Sequence, residues 1–89
     1  MGIEWTVSAD KHEIDREDAL YAMENALYFE EEFDEPRVPG RAKPTLFIGP
    51  PRMLGGPLLE VMVEMIPPRR MVVFHVMEAR PQHLARMDD

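Results

Sequence analysis

Two apolar segments in the C-terminal half, joined by Pro67, Pro68, Arg69 and Arg70, constrain the fold more than any other feature of the sequence. Residues 58–66 alternate: Leu59, Val61, Val63 and Met65 share one side, and Glu60 and Glu64 lie on the side of Met62. Residues 71–77 are almost entirely apolar, which suits a central strand. An all-apolar side specifies the register and the connection has hairpin length, so we predict that the two strands pair antiparallel.

A helix is predicted over residues 15–25. Asp15 is a suitable N-cap, Asp18 provides an acid three residues later, and Asn25 is a suitable stop. Apolar side chains recur near one side at helical spacing, namely Ala19, Leu20, Met23 and Leu27. This is the main helix of the chain.

Shorter patterns predict the remaining elements. Residues 3–7 read as a strand or extended arm, residues 27–34 alternate with period two as in a half-buried strand, and residues 45–48 are short, apolar and β-prone. Pro81 suits the first turn of a helix, so residues 81–87 form a short terminal helix or turn. The expected fold class is α+β, with an early helix packed on a three- to four-stranded antiparallel sheet and a short C-terminal helix.

The size of the chain predicts a single domain, residues 1–89. It has no cysteine, so neither a disulfide nor a thiolate zinc site supports its small core, and an oligomer or a tight partner would help. No apolar run approaches the roughly 18 residues that cross a bilayer, and the N-terminus resembles no secretory signal, so we expect a cytoplasmic protein without membrane contact. No spacing links the histidines to paired carboxylates, so we predict neither a metal nor a cofactor.

Charge divides the sequence into two unequal parts. The net charge is −7, yet residues 1–35 hold twelve acids against two bases, a balance of −10, whereas residues 36–89 have a balance of +3. An acidic molecule is a poor match for nucleic acid, but basic residues gathered in loops can converge on a ligand. Solvated charge is the ordinary alternative for such loops.

Several short motifs resemble the BrnT family of ribonuclease toxins from bacterial type II toxin-antitoxin pairs. They are the start Ile3-Glu4-Trp5, the stretch from Lys11 to Ala19, the turn Ile48-Gly49, and the segments 59–63 and 73–80. The resemblance implies a RelE-like fold, metal-independent cleavage of mRNA that inhibits translation, and a cognate antitoxin as partner. The sequence departs from the family pattern at residues 6–10, where a longer basic segment is usual, and at Glu13, where glycine is usual.

The resemblance also indicates which residues would carry the chemistry. Cleavage of this kind requires activation of the 2′-hydroxyl, stabilisation of the phosphorane charge and protonation of the leaving oxygen. His12 and Arg80 would be the catalytic residues, and Lys11 and Arg52 would bind the RNA. The alternatives are a surface histidine at the helix entry and, for Arg80, a salt bridge to Glu78 or another acid.

The other two histidines have structural interpretations: His75 as a satisfied histidine on the sheet and His83 as a residue of the terminal helix. Met53 and Leu54 form an apolar pair in a loop, which would suit contact with an antitoxin or a second copy of the chain. Two further function classes stay open. One is a non-catalytic module of the same fold whose acidic N-terminal half docks a basic partner, and the other is a structural homodimer.

Overall fold

The computed structural model describes residues 2–88. Its strands are β1 (Gly2–Trp5), β2 (Tyr28–Glu30), β3 (Thr45–Gly49), β4 (Leu59–Ile66) and β5 (Arg70–Glu78). Its helices are α1 (Arg16–Glu24) and α2 (Pro81–Leu84), with 3₁₀ turns at Val7–Asp10 and Ala85–Asp88. Within this part of the chain no helix is both long and apolar enough to cross a membrane.

All five strands belong to one mixed sheet in the order β1-β5-β4-β3-β2. The predicted hairpin is confirmed, since β4 and β5 are antiparallel from Leu59 opposite Glu78 to Ile66 opposite Arg70, with a bulge after Met62. The expected sheet of three or four antiparallel strands is wrong in one respect. The N-terminal segment enters the sheet as β1 and runs parallel to β5, a long-range pairing that leaves no periodic signal in the sequence.

Helix α1 has the predicted bounds to within one residue. Asp15 accepts a hydrogen bond from the Glu17 backbone N–H at 2.8 Å, which satisfies one free donor of the first turn. Ala22 is fully buried and packs so closely on β3 that a Cβ at Gly49 would overlap the Ala22 carbonyl oxygen. Small side chains therefore set the distance between helix and sheet. Leu27, predicted on the helix face, lies beyond the end of α1 and is exposed.

The segment predicted as a strand over residues 27–34 forms only the three-residue β2. A turn follows at Glu31 and Glu32, and the positive φ of Glu32, 52°, ends the extended conformation. Phe29 stacks on Phe47 across the pair but stays exposed at the sheet edge. Alternation alone could not show that the chain leaves the sheet here and becomes a loop over residues 31–44.

Both faces of the sheet are covered, by different parts of the chain. The helix face, which carries Leu59 and Val61, packs against α1 in an apolar core. The opposite face, called here the loop face, carries Glu60, Met62 and Glu64 and is covered by the 31–44 loop and the C-terminal residues 81–88. Two glutamates on one strand are thus removed from water, which is costly unless each is paired.

Candidate functional site

The Glu60 side chain is the centre of a polar cluster on the loop face. It is fully buried, because β4 is flanked by β3 and β5 and the C-terminal residues lie over it. One carboxylate oxygen, Oε2, lies 2.7 Å from His75 Nε2 and accepts from Arg80 Nη2 at 2.8 Å. The other, Oε1, accepts from the Arg80 backbone N–H at 2.9 Å and lies 2.8 Å from His83 Nδ1. One carboxylate thereby fixes three side chains and the start of α2.

These contacts determine the charge of Glu60. Burial raises the pKa of the carboxyl, but the Arg80 guanidinium and backbone N–H together with both imidazoles outweigh it and hold the pKa at about 2. Glu60 is therefore ionised near neutral pH and can only accept hydrogen bonds. Burial lowers the pKa of His75, and its hydrogen bond to Glu60 offsets only part of that effect. The net lowering favours the neutral ring.

The ionised carboxylate also determines which nitrogen of His75 carries the proton. Because Glu60 only accepts, His75 donates from Nε2–H, and a neutral ring then keeps its lone pair on Nδ1. That nitrogen can accept a proton from a substrate. The pairing of a histidine with a buried carboxylate is the arrangement that orients an imidazole for acid–base chemistry.

One side of this cluster opens to solvent. The His75 side chain is 20% exposed and that of Arg80 is 38% exposed. His12 lies at the surface, with its ring edge-on to His75 and the ring centroids 5.8 Å apart. His83, by contrast, is buried and lies edge-on to Phe33. We define the His12, Glu60, His75, Arg80 and His83 side chains as the Glu60 cluster.

Hydrogen bonds between the N-terminal segment and β5 determine the position of His12. The Thr6 N–H donates to the Val73 carbonyl at 3.0 Å, and the Ser8 hydroxyl donates to the Phe74 carbonyl at 2.8 Å, at the bulge of β5. These bonds hold the 3₁₀ turn against β5, just before His12. A residue early in the chain is thus fixed beside one near its end.

A second buried carboxylate lies farther along β4. Glu64 Oε1 accepts from Arg37 Nε at 2.9 Å and from Arg37 Nη2 at 2.6 Å, and Arg41 Nε lies 3.4 Å from Glu64 Oε2. The Arg37 guanidinium also lies over the Phe74 ring, 4.9 Å from its centroid. The loop of residues 31–44 is therefore anchored to the loop face of the sheet by its own arginines.

Comparison with protein-family models, with curated protein sequences and with solved structures finds no match. The arrangement of the side chains is what bears on function.

The residues chosen from the sequence fall in two regions, the Glu60 cluster with its neighbouring turn and the loop between β3 and β4. His12 and Arg80 are brought to the Glu60 cluster, Arg80 through a salt bridge to Glu60 rather than to Glu78. Lys11 is exposed in the turn next to His12. Arg52 lies elsewhere, since its Nε donates to Asp18 at 2.8 Å at the start of α1. Met53 and Leu54 are exposed as predicted, Leu54 fully, in the loop after β3.

The sequence does not identify three members of the cluster as functional: Glu60, His75 and His83. One feature of the sequence could have indicated them. Glu60 lies within one apolar strand of the predicted hairpin, and His75 lies within the other. Met62 is paired with His75, so Glu60 reaches the imidazole diagonally across the two strands. Among the described residues, no group of three or more His, Cys, Asp or Glu side chains is arranged to hold a metal ion.

Proposed function

We propose that this chain is the toxin of a type II toxin-antitoxin pair, a metal-independent endoribonuclease that cleaves mRNA in the cytoplasm and so inhibits translation. The observation that carries the proposal is the Glu60 cluster, which joins two imidazoles and a guanidinium at a surface opening. Those are the groups required for attack of a 2′-hydroxyl on its own phosphate.

In the proposed reaction His75 acts as the general base. Its Nδ1 takes the proton of the 2′-hydroxyl while Glu60 stabilises the resulting imidazolium. The oxygen attacks the adjacent phosphorus, and the bond to the 5′-oxygen of the next nucleotide breaks. His12, at the surface beside His75, gives a proton to that leaving oxygen. The products are a 2′,3′-cyclic phosphate and a free 5′-hydroxyl.

Arg80 stabilises the charge that develops on the phosphorane. Its hydrogen bonds to Glu60 use Nε and Nη2, and among the described residues Nη1 has no partner. A guanidinium fixed on one edge by a carboxylate presents its other edge to a phosphate without further ordering. Such preorganised donors typically contribute ~10²- to 10³-fold to the rate.

The arginines above the two buried glutamates support RNA binding despite the net charge of −7. Glu60 and Glu64 are buried, whereas Arg37, Arg41 and Arg80 lie above them and are partly exposed. Three guanidiniums beside two buried carboxylates give this ion-paired group an excess of one positive charge, and its positive members are the ones that face solvent. The same loop also carries four exposed acids within residues 31–35. Phosphates would bind at these arginines.

The fold supports the proposal as well. An early helix followed by the antiparallel meander β2 to β5 agrees with the RelE-like architecture that the resemblance implies. The exposed Met53 and Leu54 would serve contact with the antitoxin. We therefore propose the RelE-like assignment together with the activity.

The test is cleavage of an mRNA by the purified chain, measured without ribosomes in buffer containing EDTA and with ribosomes in buffer containing Mg²⁺. We expect cleavage that His12→Ala, His75→Ala and Arg80→Ala each reduce ~10²-fold or more. Arg69→Ala, an exposed arginine of the β4–β5 turn, is the matched control and should leave the rate unchanged. In cells, induction of the wild type should arrest growth, and the three variants should relieve it at equal protein level. A folded wild type that cleaves nothing and permits normal growth would refute the nuclease proposal.

The second candidate is a non-catalytic module that docks a basic partner through its acidic N-terminal half. The exposed acids Glu31, Glu32, Asp34 and Glu35, which follow β2, favour it. Other acids of that half are already paired within the chain, such as Asp10 with Arg16. Charge reversal at Glu31 and Glu32 should abolish partner capture if this candidate holds, and should leave RNA cleavage intact if the nuclease proposal holds.

A further inference from the structure

A groove of about 310 Å³ opens on the helix face, between the start of α1 and the loop that joins β3 to β4. Its apolar lining comes from Ile14, Pro51, Met53, Pro57 and Leu59. Leu59 contributes to the helix face and Glu60 to the loop face, so the groove and the Glu60 carboxylate lie on opposite sides of the sheet, while His12 of the cluster directly precedes the lining residue Glu13. No residue that lines the groove belongs to the proposed nuclease site.

The loop beside the groove presents apolar side chains to water. Leu54 is 100% exposed and Met53 is 74% exposed. The loop is nevertheless well fixed, because the Arg52 backbone N–H donates to Asp18 at 3.0 Å and the Gly56 N–H donates to the Met53 carbonyl at 3.0 Å. A loop whose backbone is already hydrogen-bonded loses less conformational entropy on binding than a free one, which favours association with a partner.

The charge around the groove selects the kind of partner. Glu13, Asp15 and Asp18 line it, and the neighbouring Arg52 offsets only one of these three acids. A symmetric contact between two copies of the chain would bring two acidic rims together. A segment with lysine or arginine beside its apolar side chains would instead meet opposite charge.

We propose that the groove and the Met53–Leu54 loop bind an amphipathic segment of a partner protein, with two or three apolar side chains flanked by basic residues. The inference rests on the partner-binding part of the proposed function and specifies the chemistry of that partner. It does not depend on RNA cleavage, because the groove shares no residue with the Glu60 cluster.

The experiment selects binders from a displayed library of 16-residue helix-forming peptides, with the purified chain as target and RNA absent. We expect enriched peptides to carry apolar residues three or four positions apart and a net positive charge. Binding of the best peptide is then measured by fluorescence anisotropy. Since Leu54→Asp removes the exposed anchor, it should weaken binding at least about tenfold.

Leu27→Asp, another exposed leucine away from the groove, is the matched control and should bind like the wild type. Thermal unfolding of both variants shows that each is folded. Failure to enrich, enrichment of neutral or acidic peptides, or equal binding to Leu54→Asp would overturn the proposal. So would a wild-type dimer in sedimentation that Leu54→Asp dissociates, because the occupant would then be a second copy. Loss of nuclease activity in the separate cleavage assay would leave these readings unaffected.

Discussion

Glu60→Gln removes one buried charge while keeping the size of the side chain, so it measures what the ion pairing in the cluster contributes to stability. The pKa of Glu60 is about 2 in the folded chain, against a usual 4.5. A difference of that size corresponds to about 3 kcal/mol of stability at pH 7. An 89-residue domain has a total free energy of unfolding of only about 4–13 kcal/mol. We therefore expect a large loss on substitution.

The pH dependence gives the prediction its sign. A carboxyl whose pKa is depressed by folding stabilises the protein fully above its unfolded value of 4.5, and the contribution disappears as the pH falls towards 2. The deficit of Glu60→Gln should thus be about 3 kcal/mol at pH 7 and about 1 kcal/mol at pH 3. Urea unfolding followed by circular dichroism at both pH values measures it directly.

The control variant is Glu78→Gln, an exposed glutamate at the end of the neighbouring strand. It should change the free energy of unfolding by less than about 0.5 kcal/mol. A deficit for Glu60→Gln below about 1 kcal/mol at pH 7, or one that does not shrink at pH 3, would show that the carboxylate is not held ionised by Arg80 and the imidazoles. The reasoning about the cluster would then be refuted.

Two other predictions follow from the packing and from the proposed chemistry. Gly49→Ala should lower the free energy of unfolding in urea by about 1–3 kcal/mol or more, because the new Cβ overlaps the Ala22 carbonyl oxygen. Gly2→Ala is the control, since its Cβ would lie 3.9 Å from the nearest atom. Equal effects of the two substitutions would contradict the close packing of α1 on the sheet. In the cleavage assay, the midpoint of the acid limb of the kcat/KM profile against pH should lie below 6.5, because burial lowers the pKa of His75. A midpoint at or above 6.5 would exclude His75 as the general base.

Local patterns predicted those parts of the fold that depend on neighbours in sequence. The α1 bounds follow from Asp15 and Asn25, and the β4–β5 hairpin follows from alternation and a short connection. The docking of β1 against β5 and the short length of β2 could not be derived in this way. One depends on a contact between the two ends of the chain, and the other on a backbone turn at Glu32 that alternation does not encode.

The candidate site was predictable only in part, for a related reason. The family resemblance pointed to His12 and Arg80, which lie in the cluster, and the alternation in β4 correctly grouped Glu60 with Glu64. It did not show that the loop of residues 31–44 and the C-terminal turns would bury those glutamates beneath arginines. Burial is what converts an ordinary strand glutamate into the centre of a cluster, and burial depends on tertiary structure.

The parallel pairing of β1 with β5 has a consequence for the order of events during synthesis. The first strand has no partner in the sheet until residues 70–73 have been made, and His12 meets the other members of its cluster only after Arg80 and His83 follow. Contacts between distant positions close slowly, since the intervening chain must first be ordered. A nascent chain that stops short of β5 has neither a complete sheet nor a complete cluster, so any activity of the cluster begins only after residue 83 has been made.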